Sequence, residues 1–144
     1  MIKKISSGTQ LTESPFWYKK KNEYLWLDIL EKKLFIYSNK LKYIKEYNEF
    51  PSFIFEDEFE NLYIAFESGI YKIDENFELE KKLINFPLDG FRCNDGGIDF
   101  KGDIFIGRIN NLYNKSEKSF EPDGCLLFIE NNHINKILEN QTIP

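Results

Sequence analysis

Valine is missing from this 144-residue chain, and Ala65 is its only alanine. Alanine is the strongest helix former, so its near absence argues against a helical bundle. Histidine occurs once, as His133. Any Ser-His-Asp or Cys-His site has to use it, yet it follows Asn131 and Asn132 in what reads as a surface turn. The two cysteines, Cys93 and Cys125, stand in neither a CxxC nor a zinc spacing and read as a reduced pair. No apolar run approaches the roughly 18 residues of a membrane span. The first eight residues carry the charges of a signal peptide but no apolar centre, so the expected compartment is the cytoplasm. Neither a Walker A loop nor a GxGxxG motif is present. Lys and Arg number 19 against 24 Asp and Glu, a net charge of −5. That balance speaks against nucleic acid and against a membrane surface as partners. Lys19-Lys20-Lys21 is a short run that reads as a solvated turn.

Aromatic residues are abundant: 14 Phe, 8 Tyr and 2 Trp. An apolar set of Ile, Phe and Tyr suits pleated sheet. Three segments share one shape. The first has Pro15-Phe16-Trp17, a polar turn from Lys19 to Glu23, Tyr24 to Asp28, then Lys33 to Tyr37. The second has Ser52 to Phe55, a turn from Glu56 to Asn61, Leu62 to Phe66, then Ile70 to Ile73. The third has Gly97 to Phe100, a turn at Lys101-Gly102-Asp103, Ile104 to Gly107, a longer loop from Asn110 to Asp123, then Gly124 to Ile129. A more polar fourth strand closes each unit, near 41–47, 77–84 and 133–138.

Four short strands repeated about every 40 residues is the signature of a β-propeller blade. The expected fold is all-β, with three four-stranded blades near residues 12–48, 50–86 and 90–140. A β-sandwich is the competing arrangement, but it does not require the units to resemble one another. Propellers have about 4–8 blades, so three leave two apolar blade faces in water. The expectation is the N-terminal half of a propeller. A C-terminal half or a homo-oligomer would then cover the open faces.

Arginine is scarce: Arg92 and Arg108 stand against 17 Lys. Such a chain reserves arginine for planar, forked hydrogen bonding. Arg92 opens the unusual stretch Arg92-Cys93-Asn94-Asp95-Gly96-Gly97. In an extended segment, Arg92 and Asn94 share one side and Cys93 and Asp95 the other. A guanidinium beside an amide makes a polar clamp for a hydroxylated or carboxylate substrate, or else Arg92 pairs with Asp95 or Asp99. Asp95-Gly96-Gly97 reads as the point where the chain turns. Glu13, ahead of the first strand, would point to the central channel, where a hard cation takes carboxylate oxygens. Asp28 reads as a turn residue rather than a ligand.

Glu13-Ser14-Pro15-Phe16-Trp17, Leu25-Trp26-Leu27-Asp28-Ile29, and Arg92-Cys93-Asn94-Asp95-Gly96 followed by Asp99, Gly102 and Gly107 resemble the regucalcin/gluconolactonase family. The resemblance runs from about Thr12 to Pro144 and covers the N-terminal half of a family member. It implies a six-bladed propeller with one divalent cation in its channel, calcium ahead of zinc or magnesium, acting as a lactone hydrolase. It implies Glu13 as a metal-ligand carboxylate, and Arg92 and Asn94 as contacts to a small lactone or sugar acid. The family's later metal ligands, an Asn and the Asp that also serves as base, would lie beyond Pro144. No catalytic residue is therefore expected in this chain, and the cation is expected only in a complete propeller. The family's Thr-Met and acidic residues after the glycine matching Gly107 are replaced by Arg108-Ile109-Asn110-Asn111.

Overall fold

The computed structural model describes residues 8–110 and 122–142. Strands β1 (Thr12–Tyr18), β2 (Glu23–Asp28), β3 (Lys33–Ser38) and β4 (Lys40–Glu46) form the first antiparallel sheet in chain order. Strands β5 (Pro51–Glu56), β6 (Leu62–Phe66), β7 (Gly69–Ile73) and β8 (Leu79–Asn85) form the second. Strands β9 (Phe91–Ile98), β10 (Ile104–Asn110), β11 (Gly124–Glu130) and β12 (His133–Gln141) form the third. Among the described residues, no helix is long and apolar enough to cross a membrane.

The alternation of side chains decides how the sheets stack. Leu25 and Leu27 of β2, with Leu34 and Ile36 of β3, face Ile54, Leu62, Ile64 and Phe66 of the second sheet. The opposite face of that second sheet presents Phe55, Tyr63, Ala65 and Ile70 to Cys93, Ile106, Cys125 and Leu127 of the third. The middle sheet is therefore covered on both sides, and all five residues of β6 are buried. Each fully buried Leu or Ile contributes about 1.5–3 kcal/mol. The inner strands β1, β5 and β9 are neighbours in that order. These are three stacked blades, as the repeat predicts, with the sandwich arrangement excluded.

Three hairpin turns share one device that the sequence reading did not single out. Asp57 Oδ1 accepts the backbone N–H groups of Phe59 and Asn61, both at 2.9 Å. Asp74 Oδ1 does the same for Asn76 and Glu78, and Asp99 Oδ1 for Lys101 and Asp103. The third residue after each aspartate, Glu60, Phe77 or Gly102, is left-handed. An aspartate that satisfies two backbone donors makes the sharp reversal without a glycine at every turn.

Several boundaries differ from expectation. Phe77 lies in a turn rather than in the fourth strand, which starts at Leu79. The inner strand of the third blade starts at Phe91, not Gly97, and Asp99-Phe100 belongs to the following turn. Asp95-Gly96-Gly97 does not turn the chain but continues β9, irregular only where Ile106 to Arg108 pass opposite it. The glycine there serves a close approach. A Cβ on Gly96 would lie 2.7 Å from Phe53 Cδ1 and 2.8 Å from Phe105 O. The loop expected from Asn110 to Asp123 falls, for residues 111–121, outside the described residues, while Asn110 Nδ2 donates to Asp123 Oδ2 at 2.7 Å.

Candidate functional site

Two contacts carry one level across the three inner strands. Ser14 Oγ accepts the Ile54 N–H at 2.8 Å, joining β1 to β5. Phe53 lies against Gly96, joining β5 to β9. Ser14 is left-handed, with φ of 53°, inside an irregular stretch of β1 between Glu13 and Phe16. Such a backbone costs about 1–3 kcal/mol, which the contact to β5 helps offset. The Glu-Ser-Pro-x-Trp segment thus has a structural use: its serine couples two blades next to Glu13. Glu13 lies within β1, not ahead of it, and is half-buried.

Asn94 stands two residues from the same level, on β9. Alternation places Arg92 and Asn94 on one side, and the structure joins them. Arg92 Nη1 donates to Asn94 Oδ1 at 3.3 Å and to Cys93 O at 2.9 Å. Arg92 is only 3% exposed, while Asn94 is half-buried. The guanidinium engages the amide oxygen, and an amide NH₂ is by nature a donor, of the kind that suits a carbonyl, hydroxyl or carboxylate oxygen. Glu13 is not drawn into this pair: β5 runs between β1 and β9.

Among the described residues, no group of three or more His, Cys, Asp or Glu side chains is placed to hold a metal ion. Glu13 supplies one carboxylate, and a Ca²⁺ ion takes about 6–8 oxygen ligands. The described residues alone do not fit the cation. Asp28 does what a turn residue does. Fully buried, it accepts the N–H groups of Gln10, Leu11 and Glu31 at 2.8–3.2 Å. His133 opens β12 and is exposed, after the left-handed Asn131 and Asn132.

Arg108 is the functional-looking residue whose part the sequence reading missed. It forks onto Asp89 at 3.0 and 3.3 Å and donates to Pro87 O and Phe91 O. Its guanidinium packs on the rings of Phe86 and Phe91. It therefore clamps the link between the second and third blades. The scarcity of arginine was the available signal. A concavity of about 510 Å³ opens beside it, lined in part by Asp89, Cys125, Ile134 and Lys136, and its walls include neither Glu13 nor Asn94.

Cys93, Arg108 and Cys125 form one cross-strand row. Two strand steps of about 5 Å each separate the cysteines, beyond the roughly 7 Å limit for a disulfide. Both thiols are free. Burial pushes Cys93 up to about 12 and also raises Cys125. The thiolate is the reactive form, so Cys93 is inert at neutral pH. At pH 8 the folded chain should leave Cys93 unlabelled by a thiol reagent until denaturant is added. Rapid stoichiometric labelling of Cys93 in buffer would contradict its burial.

Residues 11–144 match the model of the SMP-30/gluconolactonase/LRE-like region. No curated protein sequence matches. Among solved structures, a calcium-binding regucalcin from Agrobacterium tumefaciens is similar at 19% identity and a TM-score of 0.78, over 94% of this chain and 45% of that one. A luciferin-regenerating enzyme is similar at 17% identity and a TM-score of 0.73, over 92% of this chain and 46% of that one. A gluconolactonase from Xanthomonas campestris follows at 11% identity and a TM-score of 0.66, over 91% of this chain and 48% of that one. The chain thus spans about half the length of these structures. Its three blades, its repeat and the match over residues 11–144 lead to one conclusion: this chain belongs to the SMP-30/gluconolactonase/LRE-like family.

Proposed function

We propose that this chain is the N-terminal part of a divalent-metal-dependent hydrolase of sugar lactones. In this reading Glu13 is one carboxylate ligand of the cation, calcium ahead of zinc or magnesium. Asn94, backed by Arg92, donates to an oxygen of the lactone or sugar acid. The remaining ligands and the base come from further blades, so the three blades alone are inactive. The observation that carries the reading is the Arg92–Asn94 hydrogen bond on the inner strand β9. The cytoplasm is the compartment that goes with it.

The test has two arms. The 144-residue chain is assayed for hydrolysis of sugar lactones with calcium, zinc or magnesium, and its melting temperature is followed with each ion. No turnover above the spontaneous rate and no shift in melting temperature are expected. Supplying the missing blades, from the same or a neighbouring gene, should create both a chelator-sensitive activity and a metal-dependent shift. Chelator-sensitive turnover by the chain alone would sink the assignment of the missing ligands. A completed propeller that neither binds metal nor cleaves lactones would sink the enzyme.

A second reading, a binding or assembly module without catalysis, is favoured by the exposed aromatic face of the first blade. Trp17 and Tyr24 remain 43% and 54% exposed there.

A further inference from the structure

Asp-Gly occurs three times in the chain, at Asp89-Gly90, Asp95-Gly96 and Asp123-Gly124. A glycine has no side chain to shield its amide nitrogen, so a preceding aspartate carboxyl can close on it. The structure treats the three pairs differently. Asp89 commits its carboxylate to the Arg108 guanidinium, at 3.0 and 3.3 Å, and to the Phe91 N–H at 3.2 Å. Asp123 Oδ2 accepts Asn110 Nδ2 at 2.7 Å. Of the three, only Asp95 takes the N–H of its own following glycine: Gly96 N donates to Asp95 Oδ1 at 2.8 Å.

The local backbone leaves that pair open to reaction. Between the paired residues Cys93–Arg108 and Gly96–Ile106, Asn94 and Asp95 stand against Gly107 alone, so β9 carries a bulge there. A bulge leaves its extra residue outside the ladder and disrupts the pairing around it. Asp95 is also exposed, so water reaches it. Packing then keeps the glycine in place. A Cβ on Gly96 would meet Phe53 Cδ1 at 2.7 Å and Phe105 O at 2.8 Å, so a larger residue after Asp95 would disturb the seam between the blades.

We infer that Asp95-Gly96 is a site of spontaneous isomerisation, at which the folded chain converts Asp95 to isoaspartate faster than Asp89 or Asp123. The Gly96 nitrogen attacks Cγ of Asp95, the carbon that carries Oδ1. The N–Cγ bond forms, the C–OH bond of the carboxyl breaks, and the hydroxyl leaves as water with the amide hydrogen. The resulting five-membered succinimide then takes up water. Addition at Cγ restores aspartate. Addition at the former main-chain carbonyl breaks its bond to nitrogen and leaves the chain running through Cβ. Only water leaves and enters, so the step needs no oxidant and no co-reactant. The product has an extra main-chain atom between Asn94 and Gly96. It lies directly beside the Arg92–Asn94 pair on one side and the Phe53 contact on the other. The inference rests on the bulge and the hydrogen bond, and it does not depend on the lactonase reading.

The test ages the 144-residue chain at neutral pH and physiological temperature, once folded and once in denaturant. Trypsin cleaves after Arg92 and Lys101, which puts the three aspartates on separate peptides. Isoaspartate on each peptide is read by isoaspartyl methyltransferase labelling and mass spectrometry. In the folded chain it should accumulate at Asp95 about tenfold faster than at Asp89 or Asp123, because only there is the attacking nitrogen held against the carboxyl. In denaturant the three rates should converge. Asp95→Asn closes the same ring with ammonia as the leaving group and should react faster still. Asp95→Glu needs a six-membered ring and should stay unmodified. The comparison of the three sites in the parent chain requires neither variant to fold. Equal accumulation at the three sites of the folded chain would overturn the inference, as would Asp95 lagging behind either of the others. So would a folded chain without isoaspartate at Asp95 once the denatured chain has gained it, or an asparagine variant slower than the parent.

Discussion

Phe66→Ala is expected to destabilise the chain by about 3–5 kcal/mol. Folded domains hold only about 5–15 kcal/mol, so a denaturant melt should lose a large share of its midpoint. Phe66 is fully buried between the first and second blades. Its ring meets Tyr47 and Tyr71 edge-on, with centroids 4.9 and 5.4 Å apart. Its carbonyl accepts the Cys93 thiol at 3.4 Å on the side of the third blade. Truncation empties a ring-sized space in one seam and loosens the backbone that anchors the other. Phe66→Leu keeps most of the volume and should cost about 1.5 kcal/mol. If the alanine variant melts with the wild type, the ring is not part of the core.

Arg108→Ala should cost about 3 kcal/mol, near the lower end for a broken buried ion pair, because Asp89 is partly exposed. The loss has three sources. Asp89 loses a forked partner, the carbonyls of Pro87 and Phe91 lose a donor, and the rings of Phe86 and Phe91 lose the plane between them. Arg108→Lys restores the charge but not the fork, and should recover less than half of the loss. Urea melts of the three proteins decide this. A lysine variant as stable as the parent would show that charge alone holds the link. Lys20→Ala is the control, since its pair with Glu75 is exposed and its loss should leave the midpoint unmoved.

Blade number and strand order were legible in the sequence, because alternation and a period of about 40 residues survive in every unit. Arg92 and Asn94 were legible as a pair for the same reason: strand alternation puts i and i+2 together. Glu13 was singled out by its place ahead of the first strand as well as by family resemblance, and the structure puts it inside β1. The strand boundaries around Asp95-Gly96-Gly97 were not. Local rules read that triplet as a turn, whereas Gly96 serves Phe53, a residue 43 positions earlier in the chain. A demand set by a distant ring leaves no mark on neighbouring residues. The turn aspartates Asp57, Asp74 and Asp99 did leave one, an Asp at a fixed place in three hairpins, but acidic loops look alike until the backbone donors are seen. Arg108 was visible as a rarity and hidden as a role, since its partners Pro87 and Asp89 come from the linker before β9 and Phe91 is the first residue of that strand.

The double covering of β6 has a consequence for how damage spreads. Among the described residues, each flanking sheet packs its core on the middle one, while the middle one packs on both. Injury to a flank is therefore a local event, whereas a polar atom at Ile64 strikes the seam with the first sheet and one at Ala65 the seam with the third, each from the strand that both seams share. The shortest strands of the molecule, near its centre, are where the whole stack is most easily undone.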